Sequence, residues 1–142
     1  MMVSLLALSL SLLFAFLGVL HLYWLVGGTW ALNKVIPTKE EEKSNLKILP
    51  LATLLVALGL LFLAFVYLEQ TSFINHLLPV TLGEVALWFV PILFLIRAIG
   101  DFNYVGFFKR VKTTAFAKAD SKLFSPLCLG IAFAGFAIIF LG

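Results

Sequence analysis

The chain has 142 residues, 63% of them hydrophobic and 12% charged, with a formal charge of +3 and a mean hydropathy of +1.13. Soluble domains are about 45–50% apolar and about 25% charged, so these proportions exclude a soluble enzyme, a secreted disulfide scaffold and a disordered segment. A single cysteine, Cys128, also excludes thiolate metal cages and paired-cysteine redox chemistry. What remains is an integral membrane protein, read as one membrane domain over residues 1–142.

Four apolar stretches, at residues 3–26, 49–68, 80–96 and 124–141, are each long enough to cross a hydrocarbon core of about 30 Å, which takes roughly 17–25 helical residues. Period-two alternation is absent, and runs such as LLVALGLLFLAF are apolar on every side, which predicts helices rather than barrel strands. The expected fold is an all-α bundle of four transmembrane helices with two basic loops. The first span has no basic segment before it and no small-residue cleavage site after it, so it reads as a retained helix, not a signal peptide. Ser4, Ala7, Ser11, Ala15 and Gly18 form a stripe of small residues on one face and predict close packing inside the bundle. His21 borders that stripe and reads either as a hydrogen-bonding group towards a neighbouring helix or as a proton carrier or ligand contact. Tyr23 and Trp24 fall on the other side and, with Trp30, predict an interfacial aromatic belt. Gly27-Gly28 ends the helix and permits a tight turn or a close backbone approach to a ligand.

In the first loop, Thr38-Lys39-Glu40-Glu41 has the spacing of a capping box and predicts a short helix. Pro50 opens the second span, where a missing N–H costs nothing. Glu84, in the first turns of span three, suits a helix N-terminus. It is also a secondary candidate for handling protons or cations, with Glu69 and His76 near the same face. Pro91 predicts a kink. Arg97 and Asp101, four residues apart at the end of the span, form either a local ion pair or part of a site. Val111–Lys122 is expected to lie as an amphipathic helix on anionic headgroups. Ser125 is the expected N-cap ahead of Pro126, and Gly130 with Ala134 makes a second, smaller packing pair in span four.

All ten Lys and Arg residues lie in two segments, Lys34–Lys47 after span one and Arg97–Lys122 after span three. Both segments follow odd-numbered spans and are therefore expected in the cytoplasm, with the two termini outside.

The run His21-Leu-Tyr-Trp24-Leu-Val-Gly27-Gly28-Thr-Trp30 and the run Gly100-Asp-Phe-Asn-Tyr104-Val-Gly106-Phe-Phe-Lys109-Arg110-Val are followed by Phe116, Asp120 and Ser125-Pro-Leu-Cys128. Together they resemble a family of small bacterial integral membrane proteins known only as a domain of unknown function. The resemblance covers nearly the whole chain. It implies a four-helix protein of the bacterial inner membrane whose signature lies at the cytoplasmic ends of spans one, three and four. It implies no activity and no catalytic residue.

The candidate ligand-binding residues are His21, Trp24, Gly27, Gly28, Arg97, Asp101, Tyr104 and Asp120. His21, Arg97 and Asp101 are expected to converge beneath the Gly27-Gly28 turn, close to Tyr104 and Asp120, on a ligand with an anionic or polar head. The first expected function is a binding or accessory membrane protein with a polar pocket or partner surface at its cytoplasmic face. A small oligomeric proton-coupled transporter or channel is the alternative that needs a watery route between the levels of Glu84 and His21. A membrane enzyme acting on a lipid or quinone would need a closed, lipid-accessible inner pocket. Metal spacing, a phosphate loop and a Ser-His-Asp order are absent, and two histidines at different depths cannot share a haem. No metal, cofactor or nucleic acid is therefore expected. The expected partners are the bilayer, anionic headgroups at the basic loops, and a membrane-protein partner or second copy.

Overall fold

The computed structural model describes residues 1–36 and 49–142. The Thr38–Glu41 capping box and the bases Lys39, Lys43 and Lys47 lie outside the described residues. Where no water can satisfy backbone N–H and C=O groups, an apolar segment must satisfy them internally. Accordingly, all regular structure among the described residues is helical. In chain order it comprises α1 (Met2–Leu25), α2 (Leu32–Val35), α3 (Pro50–Glu69), α4 (Val80–Ile99), α5 (Ala115–Ala119) and α6 (Ser125–Leu141). A π-helical turn over Asp120–Phe124 joins α5 to α6. Among the described residues, four helices are long and apolar enough to cross a membrane: α1, α3, α4 and the continuous helix Ala115–Leu141. Side chains such as Leu12, Phe16, Leu55 and Phe133 are exposed, as the lipid-facing surface of such a bundle must be.

The fourth spanning helix begins earlier than the sequence predicts. Thr114 is its cap, with Oγ1 accepting the Ala117 N–H at 3.1 Å, so Ser125 lies inside the helix and is not an N-cap. Pro126 has no N–H to give the carbonyl one turn back, and the helix accommodates it by widening to the π turn just before it. The expected amphipathic helix over Val111–Lys122 is replaced by this early start, and Val111–Thr113 are not helical.

The helices pack as two pairs, α1 on α3 and α4 on α6; α1 also touches α6, whereas α3 and α4 have little contact. The small-residue stripe of α1 is an internal packing face. Ser11 Oγ donates to the Ala64 carbonyl at 2.7 Å, and a Cβ on Gly18 would sit 2.9 Å from the Leu61 side chain. In α6 the close approach is made by Gly135, whose added Cβ would meet Pro91 at 3.0 Å and the Tyr67 hydroxyl at 3.1 Å. Of the expected packing pair Gly130 and Ala134, Ala134 packs against the core, whereas Gly130 is exposed and a Cβ there would meet nothing within 4 Å among the described residues, because the buried face of α6 runs through Ile131, Gly135 and Ile138. Phe14, Tyr67, Val90 and Ile131 form the centre of the core, with the Phe14 and Tyr67 rings 5.7 Å apart. Pro91 is buried within α4, which continues from Val80 to Ile99.

Val3, Gln70, Glu84 and Gly142 share one end of the bundle, so both termini lie there. Lys34 and the bases from Arg97 to Lys122 lie at the other, hereafter the basic end.

Candidate functional site

The loop after α4 is built on two glycines. Gly100 and Gly106 have φ of 88° and 90°. A Cβ on Gly100 would fall 1.8 Å from the Val105 carbonyl oxygen, and one on Gly106 would fall 2.3 Å from that of Ile99. No other residue type fits either position. The Phe107 N–H donates to the Ala98 carbonyl at 2.9 Å, folding the loop back onto the helix end. Within the loop, Asp101 Oδ1 accepts the N–H groups of Asn103 at 2.9 Å, Tyr104 at 2.8 Å and Val105 at 2.9 Å. These bonds, that from Val105 foremost, hold the Asp101 carboxyl below the usual carboxylate range.

This fold-back brings Gly106 and Lys109 onto Asp120, which is fully buried. Asp120 Oδ2 accepts from the Gly106 N–H at 2.8 Å, Lys109 Nζ at 2.9 Å and Ser125 Oγ at 3.1 Å. Its Oδ1 accepts from Arg97 Nη2 at 2.9 Å. Lys109 Nζ donates also to the Gly106 carbonyl at 2.9 Å and to Ser121 Oγ at 2.6 Å, which uses all three ammonium protons. Arg97 is different: its side chain is 33% exposed, and its buried Nη1 has no hydrogen-bond partner among the described residues. The expected pairing of Arg97 with Asp101 is therefore corrected. An i,i+4 contact needs the helix to run through Asp101, but Gly100 turns the chain out of the helix, and the Asp101 carboxylate is taken up by its own loop.

Between the two helix pairs lies a crevice of about 850 Å³. Leu60, Leu63, Phe89, Leu93 and Ile131 wall it, and His21, Trp24 and Arg97 occupy its basic end, with Cys128 nearby. At its mouth, Val56, Phe62, Phe89 and Leu93 are half exposed, so the crevice opens sideways between α3 and α4. His21 Nδ1–H donates to the Leu17 carbonyl at 2.7 Å. A carbonyl only accepts, so this bond fixes the proton on Nδ1 and leaves Nε2 as the available nitrogen. The Trp24 ring meets His21 edge-on at 5.0 Å, and its Nε1–H donates to the Trp30 carbonyl at 2.8 Å.

Trp24 is thus not part of an aromatic belt. It is buried, because the Gly27-Gly28 turn returns the Trp30 carbonyl to satisfy its indole N–H. Tyr23 and Trp30 are exposed. The glycines close α1: Gly27, at φ 99°, donates to the Trp24 carbonyl and Gly28 to that of Tyr23. Neither lines the crevice.

Of the eight candidates, His21, Trp24 and Arg97 line the crevice, and Asp120 holds Arg97 from behind. Asp101 and Tyr104 belong to the loop instead, so the expected three-way convergence of His21, Arg97 and Asp101 does not form. Glu84 is exposed at the far end. Glu69 is buried there and braces the loop between α3 and α4, with Oε1 accepting the N–H groups of Leu77 at 2.6 Å and Leu78 at 3.0 Å. His76 is exposed. Sequence reasoning missed Lys109, Gly106 and Ser125 as partners of Asp120. A signal was present: Asp120 is the only acid after Asp101, in a stretch with five bases from Lys109 to Lys122. A lone acid there demands a basic partner, although the pattern does not say which.

Among the described residues, no three His, Cys, Asp or Glu side chains come together as a metal site. No curated protein and no solved structure matches the chain. A family profile described as a protein of unknown function, DUF3995, matches residues 14–135, a range that takes in the whole motif from His21 to Cys128. Its apolar four-helix bundle, its glycine-built loop and its buried aspartate thus belong to a member of the DUF3995 family.

Proposed function

We propose that this is a membrane-embedded binding protein that receives an amphiphilic molecule from the bilayer, with its tail in the apolar crevice and its polar head at the basic end. The observation that carries this reading is the crevice itself. Its volume of about 850 Å³ falls within the roughly 300–1,000 Å³ of small-molecule sites, its walls are apolar, and its polar groups cluster at one end. The gap between α3 and α4 offers a tail a route in from lipid without crossing water.

Binding is favoured over catalysis because the hydrogen bond of His21 goes to a backbone carbonyl and not to an acid that would tune it as a general base. Transport is disfavoured because Glu84 does not line the crevice, and the walls running from its level towards His21 are apolar. The concentration of bases at one end supports a cytoplasmic basic end. Exposed Phe102, Phe107 and Phe108 beside Arg110 and Lys112 support contact between that end and anionic headgroups.

Gly59 supplies the test. It lines the crevice, and a Cβ there meets nothing within 4 Å among the described residues, so Gly59→Trp places an indole in the space. Gly130→Trp, on the exposed face of α6, is the control. Mass spectrometry of purified protein is expected to find an amphiphile retained by wild type and Gly130→Trp and lost from Gly59→Trp. Equal retention by all three refutes the proposal.

A further inference from the structure

We infer that the ligand of this crevice carries a monoanionic head, a carboxylate or a phosphodiester, and that the buried Lys109 is what frees Arg97 to bind it. The inference rests on the reading of the crevice as an amphiphile site. Lipid tails are as apolar as the crevice walls, so moving a tail from bilayer to protein gains little. Discrimination between ligands therefore falls to the head.

At the head end, charge decides. Arg97, Lys109 and Asp120 form one hydrogen-bonded unit with two positive charges and one negative. Asp120 and Lys109 are 0% and 1% exposed in their side chains, and every Lys109 donor already has an acceptor. With Asp120 alone, Arg97 would be half of a neutral pair and would draw no anion. Lys109 cancels the aspartate, and the surplus charge of +1 is expressed at Arg97, the only one of the three that lines the crevice. Its Nη2 is fixed to Asp120 Oδ1 while Nη1 lacks a partner among the described residues. An oxyanion offers this guanidinium both the missing acceptor and the missing charge. A neutral carbonyl supplies the acceptor alone, and a dianionic phosphomonoester overcompensates. His21 and Trp24 complete the head end, His21 with Nε2 available and the indole N–H already committed.

The test uses the full chain in phosphatidylcholine nanodiscs, with Trp30→Phe and Trp88→Phe leaving Trp24 as the sole indole. The Trp30 contact to Trp24 is through its backbone carbonyl and survives the change. Quenching of Trp24 by chain-brominated stearate is compared with quenching by the brominated alcohol of equal chain length, at mildly alkaline pH so that the carboxylate is ionised. Wild type is expected to prefer the carboxylate by about tenfold or more, the scale of a charged hydrogen bond. Arg97→Gln should erase that preference, while Arg97→Lys should keep part of it. Lys109→Met should lower it with Arg97 intact, provided circular dichroism shows the helices retained; the Arg97 pair decides the matter if it does not.

Brominated phosphatidylglycerol against brominated phosphatidylcholine distinguishes the source. Preference for phosphatidylglycerol identifies a phospholipid headgroup, whereas preference for stearate alone identifies a free fatty carboxylate. Equal quenching by stearate and alcohol together with equal quenching by the two phospholipids in wild type, or a preference that survives Arg97→Gln, overturns the inference and leaves the amphiphile reading standing. Absence of quenching by any probe overturns both.

Discussion

Replacing Asp120 with Ala is the sharpest test of how the basic end holds together. The change withdraws the acceptor of the Gly106 N–H, Lys109 Nζ, Ser125 Oγ and Arg97 Nη2. Lys109, 1% exposed in its side chain, then keeps only the Gly106 carbonyl and Ser121 Oγ. An uncompensated buried charge costs about 3–5 kcal/mol, and an orphaned buried backbone N–H adds about 1–3 kcal/mol before any relaxation. The Arg97 contact is one-third exposed and adds at most about 1 kcal/mol. Since these terms overlap, a loss of about 3–6 kcal/mol is expected. Removing the charge as well, by Lys109→Met in the Asp120→Ala background, should recover part of the loss, with a coupling of at least about 2 kcal/mol. The assay is reversible unfolding of all four members of the cycle in mixed micelles, followed by circular dichroism. A loss below about 1 kcal/mol for Asp120→Ala, or equal costs of Lys109→Met in both backgrounds, would refute the view of Asp120 as the buried keystone of the loop.

Two glycine substitutions should move stability in opposite directions in the same assay. Gly106→Ala, whose Cβ would lie 2.3 Å from the Ile99 carbonyl oxygen at a φ of 90°, should cost at least about 2 kcal/mol. Gly59→Ala, mid-helix and facing open space, should gain about 0.5–1 kcal/mol; melting temperatures in the reverse order would contradict the loop geometry. The Asp101 carboxyl, lowered by its three N–H bonds, gives the loop a stabilisation that is complete above the unfolded value of about 3.9 and drains away as pH falls through the lower folded value. NMR amide shifts of Asn103, Tyr104 and Val105 should report that transition, and Asp101→Asn should flatten it. For topology, a cysteine at exposed Ser72 should react with an impermeant maleimide added outside intact cells, and one at exposed Lys112 should not. The reverse labelling would invert the proposed orientation.

The four spans are legible in the sequence because the requirement they answer is local: a dry backbone must close its own hydrogen bonds, and runs of about 20 apolar residues do so only as helices. The stripe from Ser4 to Gly18 is legible for a similar reason, since spacing on a helix fixes which side chains share a face. Arg97 marks where this reasoning stops. Sequence spacing offers Asp101 as its partner, yet the left-handed turn at Gly100 ends the helix and the acceptor comes from Asp120, 23 positions along the chain. Trp24 likewise is buried by a carbonyl six residues away that only the folded glycine turn returns to it. The crevice is the least legible feature of all. Phe89 beside the crevice and Phe133 on the outer surface are both exposed apolar residues in apolar helices, and their sequence surroundings are alike. What separates them is how the helices pair. Because α1 closes on α3 and α4 on α6, a volume is left between the pairs, and that volume belongs to the packing of the four helices together and to no single segment.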